Sequence, residues 1–557
     1  MRRGRKVNEG NKFFKGALVL AVAGAIVKFL GAVYRIPLYS ILGPEGIGLF
    51  QAAYPVYSMM LSISIAGVPV AVSKLVADKL ARKNYGGALQ VFRVALFLMT
   101  ATGLIVTGVL LLGARYYAEN LLGVPDVFYP LVAIAPAVLF FAVKSAFRGF
   151  FQGQQKMVPT ALSQIIEQLV RVATIFFLAS LLVRQSTEMG AAGAAFGTVT
   201  GAAVALLLLV YIYFRQKADF ARLIVTGNNK LQSTRSVIRE IFVLALPLTI
   251  SSIVLPLVNA VDSTLILPRL QVAGFSETRA VEMFGDLTGA AMPLISLPTI
   301  FTVAISASLI PAIANASATN NQRLVASLSN LSTRLGAIIG LPAALGIFLL
   351  AEPISIMLFA NIEVARPLTF AAFIIIFLSL QQTTAPVLQG LGKTFVPVRN
   401  TFIGLGFKVA LNYILTAIPA VNILGPVIGT IVYFAVASFL NFRAISKTVG
   451  WRVSLWQSAA KPLLNTLIMG GAVLAVYPLT FRLLQPLVGR LQPLLPAFDQ
   501  ARLLASFTVL IVVLIGIVVY GLSSLLTGTI TRRELEMIPR VGPKTARILS
   551  RFRLLRR

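Results

Sequence analysis

Apolar runs of about twenty residues, the length a helix needs to cross the roughly 30 Å hydrocarbon core of a bilayer, recur fourteen times along this chain. They lie near residues 13–40, 48–73, 89–113, 127–150, 159–183, 190–214, 241–267, 284–313, 331–350, 367–388, 398–419, 424–442, 462–480 and 503–526. In lipid a backbone must satisfy its own hydrogen bonds, so such runs are read as helices. The expected fold class is therefore an all-α polytopic membrane protein of about 14 transmembrane helices. Histidine and cysteine are absent, which excludes imidazole bases, thiolate nucleophiles, disulfides and the usual zinc sites. No G-x-x-x-x-G-K-[ST] loop occurs and the 18 acidic residues are scattered. The expectation is a secondary transporter and not an enzyme, with no cofactor and no metal; Na⁺, H⁺ or the membrane potential are the candidates for coupling.

A net charge of +31 would suggest nucleic acid in a soluble protein, so its location along the chain matters. With the N-terminus placed inside, 34 of the 49 Lys and Arg residues fall in inside segments and 8 in outside segments. This is the positive-inside pattern, and it places both termini on the cytoplasmic face of a bacterial plasma membrane. Nucleic acid is not an expected partner; membrane lipids are. The N-terminal apolar segment is of spanning length with no clear small-residue cleavage site, so it is expected to stay as the first helix. The tail, Thr531 to Arg557, holds 9 basic and 2 acidic residues, and Leu535 to Leu549 looks like a helix-hairpin-helix. Directly after a membrane helix, such a basic hairpin is read as an element lying on anionic lipid.

Gln152-Gly153-Gln154-Gln155-Lys156-Met157-Val158-Pro159 returns as Gln389-Gly390-Leu391-Gly392-Lys393-Thr394-Phe395-Val396-Pro397, one residue longer. Each copy follows the fourth helix of a set of six, which makes the halves parallel repeats. The expected organisation is an N-lobe over 1–220, a cytoplasmic interlobe linker over 221–240, a second lobe over 241–450, two further helices over 451–527 and a basic tail over 528–557.

Ionisable residues inside a span cost about 2.5–3.5 kcal/mol each on insertion scales, so each is a functional candidate unless it reaches the interface. Lys28 and Arg35 lie two turns apart on one face of the first helix. Lys74 ends the second, one turn before Asp78. These three are the candidates for binding a pyrophosphate. Lys144 and Arg148 form an i,i+4 pair in the fourth helix, and Gln164, Glu167 and Arg171 a polar stripe in the fifth; these are candidate cavity residues, with Glu167 and Arg171 expected to neutralise each other. Asn259 and Asp262 in the seventh helix, and Lys408 and Asn412 in the eleventh, are candidates for ion coupling. Lys408 would equally serve to neutralise Asp262. The eighth helix, Leu287 to Ile313, is expected to bend at Pro293, Pro298 and Pro311.

The stretches Gly24-Ala25-Ile26-Val27-Lys28-Phe29-Leu30-Gly31, Tyr34-Arg35-Ile36-Pro37, Leu42-Gly43-Pro44-Glu45-Gly46, Ala52-Ala53-Tyr54-Pro55-Val56-Tyr57 and Ala66-Gly67-Val68-Pro69 resemble the stage V sporulation protein B family. That family belongs to the multidrug/oligosaccharidyl-lipid/polysaccharide exporter superfamily. Leu287-Thr288-Gly289, Leu297-Pro298-Thr299 and Leu388 to Lys393 extend the likeness to nearly the whole chain. The resemblance implies two six-helix lobes in a V plus two extra helices. It also implies translocation of undecaprenyl-pyrophosphate-linked sugars such as lipid II, in a sporulation or cell-wall setting with cell-wall synthesis enzymes as partners. In the lipid II flippases the first, second and eighth helices contribute cavity arginines. Lys28 looks like the counterpart of one, Arg35 lies one residue beyond another, and the eighth-helix arginine is missing here. Two other functions stay open on the residues alone. One is a cation-coupled multidrug exporter using Asp262 and Glu167, the other a scaffold acting through its basic tail.

Overall fold

The computed structural model describes residues 19–529 apart from 21, 28, 32, 66, 227–228, 451–455 and 492–498. Lys28 and the basic tail beyond 529 lie outside the described residues. Every regular element described is a helix. Those of the first part of the chain are α1 (Arg35–Ile65), α2 (Val68–Ala81), α3 (Tyr85–Tyr116), α4 (Phe128–Ile134), α5 (Ala137–Gly153), α6 (Met157–Leu182), α7 (Thr187–Thr226), α8 (Thr234–Val272) and α9 (Glu277–Gly285). The remainder are α10 (Met292–Ser296), α11 (Thr299–Ala318), α12 (Gln322–Phe359), α13 (Ala365–Gly390), α14 (Phe395–Leu415), α15 (Leu424–Val449), α16 (Lys461–Leu491) and α17 (Gln500–Leu526). Among the described residues, twelve segments are long and apolar enough to cross a membrane. One of them, Val22–Ala81, runs 60 residues and takes in the first two expected spans. The eleventh expected span, α14, is interrupted by Arg399, Asn400, Lys408 and Asn412 and is not among the twelve. Exposed side chains such as Leu112 at 87% and Phe97 at 72% make sense only against lipid. The chain is a multi-pass membrane protein.

The duplication is written in the backbone at a constant spacing of 237 residues. Lys83 and Asn320 take positive φ at 55° and 52°. The next residues, Asn84 and Asn321, cap α3 and α12 by accepting from Gly87 N and Leu324 N. Single 3-10 turns follow at Pro125–Val127 and Ile362–Val364. A Cβ on Gly153 would fall 2.8 Å from Ser73 O, and one on Gly390 would fall 2.9 Å from Ile310 O, so α5 meets α2 as α13 meets α11. Gly103 against Ala142 and Gly340 against Ser379 repeat the relation for the next helix pair. The copies touch reciprocally at α1 and α9: a Cβ on Gly48 would lie 2.1 Å from Val281 O, and one on Gly285 2.2 Å from Pro44 O. Backbone meets backbone there.

Packing divides the chain into two compact units at Gly285/Asp286. The first is built on an aromatic and aliphatic core from α2, α3, α5, α7 and α8, with Phe92 stacked 4.5 Å from Phe150. The expected lobe boundary at 221–240 is not where packing divides the chain. Helix α8 lies on the start of α2, where a Cβ on Gly67 would sit 2.4 Å from Ala245 O. Nor is 221–240 a plain linker. Helix α7 runs on to Thr226, and the turn before α8 is strapped to the α2–α3 corner. Gln232 and Gln90 exchange two hydrogen bonds at 2.6 and 3.0 Å, Asn84 donates to Lys230 O, and Lys79 donates to Gln232.

In the second unit α11, α13 and α15 share a core of Leu309, Ile313, Val387, Leu388 and Ile445. The eighth expected helix bends as its prolines require: Pro293 follows a π-helical turn at Asp286–Ala291 and Pro298 caps α11, whereas Pro311 stays within it. Helices α16 and α17 pack as a pair on α12, where Tyr520 donates to Ile338 O and Arg502 to the carbonyls of Met357 and Leu358.

Candidate functional site

Helix α5 can carry charge into the first unit because its other face is made of small residues. Ala142, Ala146, Gly149 and Gly153 let neighbouring backbones close in, and a Cβ on Gly149 would already be 2.9 Å from Pro69 O. The opposite face directs Lys144 and Arg148 towards α6, whose Ser163 and Glu167 are spaced in the same i,i+4 manner. The two pairs mesh. Lys144 Nζ lies 2.5 Å and Arg148 Nη2 2.9 Å from Glu167 Oε2, and Arg148 Nε donates to Ser163 Oγ at 3.1 Å. Ser163 is itself fixed by donating to Thr160 O. Lys144 is fully buried with its ammonium 3.6 Å from the centre of the Phe141 ring.

Arg171, one turn beyond Glu167, was expected to neutralise it; the structure corrects that pairing. Glu167 is engaged from the neighbouring helix by Lys144 and Arg148, while Arg171 donates to Thr198 Oγ1 of α7 at 2.9 Å. Its electrostatic neighbours include Tyr34, Tyr54 and Tyr57 as well as Glu167. The Arg171 Nε and Tyr57 Oη atoms are buried and meet no hydrogen-bonding partner among the described residues. Three basic side chains and one carboxylate thus share the spans Pro125–Gly153 and Met157–Leu182, Lys144 and Arg148 on Glu167 and Arg171 on Thr198, so basic groups outnumber acidic ones in this cluster among the described residues. Uncompensated charge in a low-dielectric interior is costly, and an anion placed among these donors would offset it with charge-assisted hydrogen bonds.

Of the other candidates, Arg35 opens α1 half-buried and Lys74 is exposed on α2. Gly31, three residues past position 28, lies with its Cβ position 3.7 Å from Gln168 Nε2 of α6, so this part of the first span runs beside the cluster. Asn259 is exposed and Asp262 half-buried on α8. Lys408 and Asn412 are buried on α14, with the Lys408 ammonium 5.6 Å from the centre of the Tyr433 ring and Gly429 shaped to admit Asn412. Asp262 and Lys408 belong to different units. The sequence singled out the charged members of the cluster but not Ser163, Thr198 or the tyrosines. The signal for the latter was Tyr54-Pro55-Val56-Tyr57, a pair of phenols three residues apart on an apolar helix.

The polysaccharide biosynthesis protein family profile matches residues 13–317, which is more than half of the chain. This chain belongs to that family. The MatE profile matches residues 287–414, which places it in the multidrug/oligosaccharidyl-lipid/polysaccharide exporter superfamily. It is 30% identical over 540 residues to the uncharacterized membrane protein YabM of Bacillus subtilis, covering 97% of both chains. It is 29% identical to stage V sporulation protein B of the same organism, over 78% of this chain and 84% of that one. Its identity to the lipid II flippase MurJ of B. subtilis is 28%, over 83% and 88%. Two solved structures share the fold. The inward closed lipid II flippase MurJ matches with a TM-score of 0.60 at 17% identity, covering 92% of this chain and 98% of that one. An inward-facing MATE family multidrug transporter matches with 0.64 at 16%, covering 78% and 98%. Members of the polysaccharide biosynthesis protein family thus align with this chain through α1, α5 and α6, where the cluster lies.

Proposed function

We propose that this protein is a flippase that carries an undecaprenyl-pyrophosphate-linked cell-wall precursor, lipid II or a related lipid-linked oligosaccharide, across the bacterial cytoplasmic membrane. The observation that carries the reading is the presence of three basic side chains, Lys144, Arg148 and Arg171, with one carboxylate, Glu167, inside two neighbouring spans. A pyrophosphate supplies what this cluster lacks: several anionic oxygens, able to accept from guanidinium forks in a medium where such bonds are strong. The polyprenyl tail has no need of a protein site, because it can remain in the bilayer while the headgroup crosses. Arg35, Lys74 and, by its place in the first span, Lys28 would meet the same headgroup.

The cluster binds but does not hydrolyse. Its single carboxylate is held by two cations, so no base is left to activate water. That same engagement weighs against an organic-cation exporter, which would need Glu167 as a counter-charge. Alternating access between the repeats is the proposed route, with both termini cytoplasmic. Asn259, Asp262, Lys408 and Asn412 are proposed to couple it to an ion or to the membrane potential. The likeness to flippases rather than enzymes supports a non-enzymatic role.

The test is rescue of a bacterium whose own lipid II flippase is being depleted, at matched membrane levels. Wild type is expected to restore growth, and Arg148→Ala/Arg171→Ala is expected to lose that activity while still inserting. Equal rescue by both would remove the cluster from the transport path. Failure of the wild type would turn the assignment towards another lipid-linked glycan.

A further inference from the structure

A second basic site lies at the C-terminal end of α5, just beyond Arg148 of the cluster described above. The ends of α3, α5 and α7 surround a cavity of about 160 Å³ whose apolar walls include Phe150, Tyr213 and Phe220. Its charged lining residues among those described are Arg93 and Lys217, with Gln154 and Gln216 beside them. Phe150 and Phe220 meet edge to face at 5.5 Å, and Phe92 and Phe147 pack behind them. Gln216 is held from the next corner by Lys156 Nζ at 2.6 Å.

Depth places this cavity at the membrane surface. The span beginning at Tyr85 runs 38 residues, about 57 Å of helix against roughly 40–45 Å for a whole bilayer with its headgroups. Arg93, eight residues from that start, therefore lies near headgroup level, and Lys217 closes the span Thr187–Lys217. Both cations are exposed. The volume is well below the roughly 300–1,000 Å³ of pockets that enclose a whole ligand, so the occupant inserts one small anionic group and leaves its bulk outside.

We infer that this is a binding site for one anionic phospholipid such as phosphatidylglycerol. The phosphodiester sits between Arg93 and Lys217, the headgroup hydroxyls reach Gln154 and Gln216, and the acyl chains lie along the lipid-facing surface of α3 and α7. Basic pockets between membrane helices on the positively charged face take such headgroups, and aromatic side chains at that level suit the polar–apolar boundary. The inference is independent of the flippase reading, because it uses different residues and a different ligand.

Native mass spectrometry of the full chain released from vesicles containing equal phosphatidylglycerol and phosphatidylcholine tests it. Wild type is expected to retain one phosphatidylglycerol in preference to phosphatidylcholine by at least tenfold, and millimolar inorganic phosphate is expected not to displace it. Arg93→Gln/Lys217→Gln is expected to lose the preference, while Arg82→Gln/Lys83→Gln, which removes two exposed cations outside the cavity, is expected to keep it. Displacement by free phosphate would overturn the lipid assignment. Equal retention of both lipids by wild type, or an unchanged preference in Arg93→Gln/Lys217→Gln, would overturn the site.

Discussion

At the scale of single residues, the cluster shows what spacing along one helix can and cannot reveal. Lys144, Arg148, Glu167 and Arg171 stand out in the sequence because charge within a span is rare and costly. Their pairing does not stand out, because the i,i+4 neighbour on the same helix competes with a partner on another helix whose register no linear spacing records. Lys144 and Glu167 are 23 residues apart and yet lie at 2.5 Å. This arrangement dictates how the site responds to substitution. Removing one partner of a buried ion pair costs roughly 3–5 kcal/mol, chiefly because a charge is left behind without compensation. Glu167→Gln is therefore expected to lower the thermal unfolding midpoint in detergent by several degrees. Adding Lys144→Met to the same chain is expected to recover most of the loss, since it removes the buried ammonium while Arg148 keeps Ser163. Equal midpoints for the single and double variants would show that the lost bond, and not the stranded charge, carries the cost.

At the scale of helices and their ends, the sequence shows less than the backbone does. The Gln-Gly-containing corner was legible as a repeat because its turn needs positive φ, at Gln155 (59°) and Gly392 (77°), and because a proline follows in each copy. The other matched corners were not legible, since Lys83 and Asn320, or Gly123 and Ala360, share a conformation without sharing a residue type. Likewise Ser73 and Ile310 meet equivalent glycines only through their carbonyls, and a contact made by backbone leaves no signature in side chains. The two capping asparagines give the repeat a measurable consequence. Loss of a helix N-cap costs about 1 kcal/mol, and Asn321, in an exposed corner, does that and little more. Asn84 is buried and also donates to Lys230 O at 2.7 Å, holding the strap before α8. Asn84→Ala is expected to destabilise the protein more than Asn321→Ala, and to speed proteolysis near residue 230 as well. Equal effects on stability and cleavage would mean the strap is held without Asn84, by the bonds at Gln90, Gln232 and Lys79.

At the scale of the whole molecule, the distribution of Lys and Arg gives an expected direction of insertion, and the multi-pass helical character and the order of the twelve described spans were readable from apolar length. The point where packing divides the chain was not, because it depends on α8 and α9 settling on α1 and α2 through glycine contacts rather than on any break in composition. The parallel character of the repeats makes a prediction free of any assumption about substrate. Residues 237 apart must face the same side of the membrane, and residues separated by one span must face opposite sides. The chain has no cysteine, so single cysteines report cleanly. Arg82→Cys and Thr319→Cys, both at exposed C-caps, are expected to react with an impermeant maleimide only when the cytoplasmic face is opened. Arg115→Cys and Glu352→Cys, also exposed and also 237 apart, are expected to react in intact cells. If Arg82 and Thr319 labelled from opposite sides, the copies would be inverted rather than parallel; both pairs exchanging sides together would keep the repeat and reverse the orientation inferred from the charges.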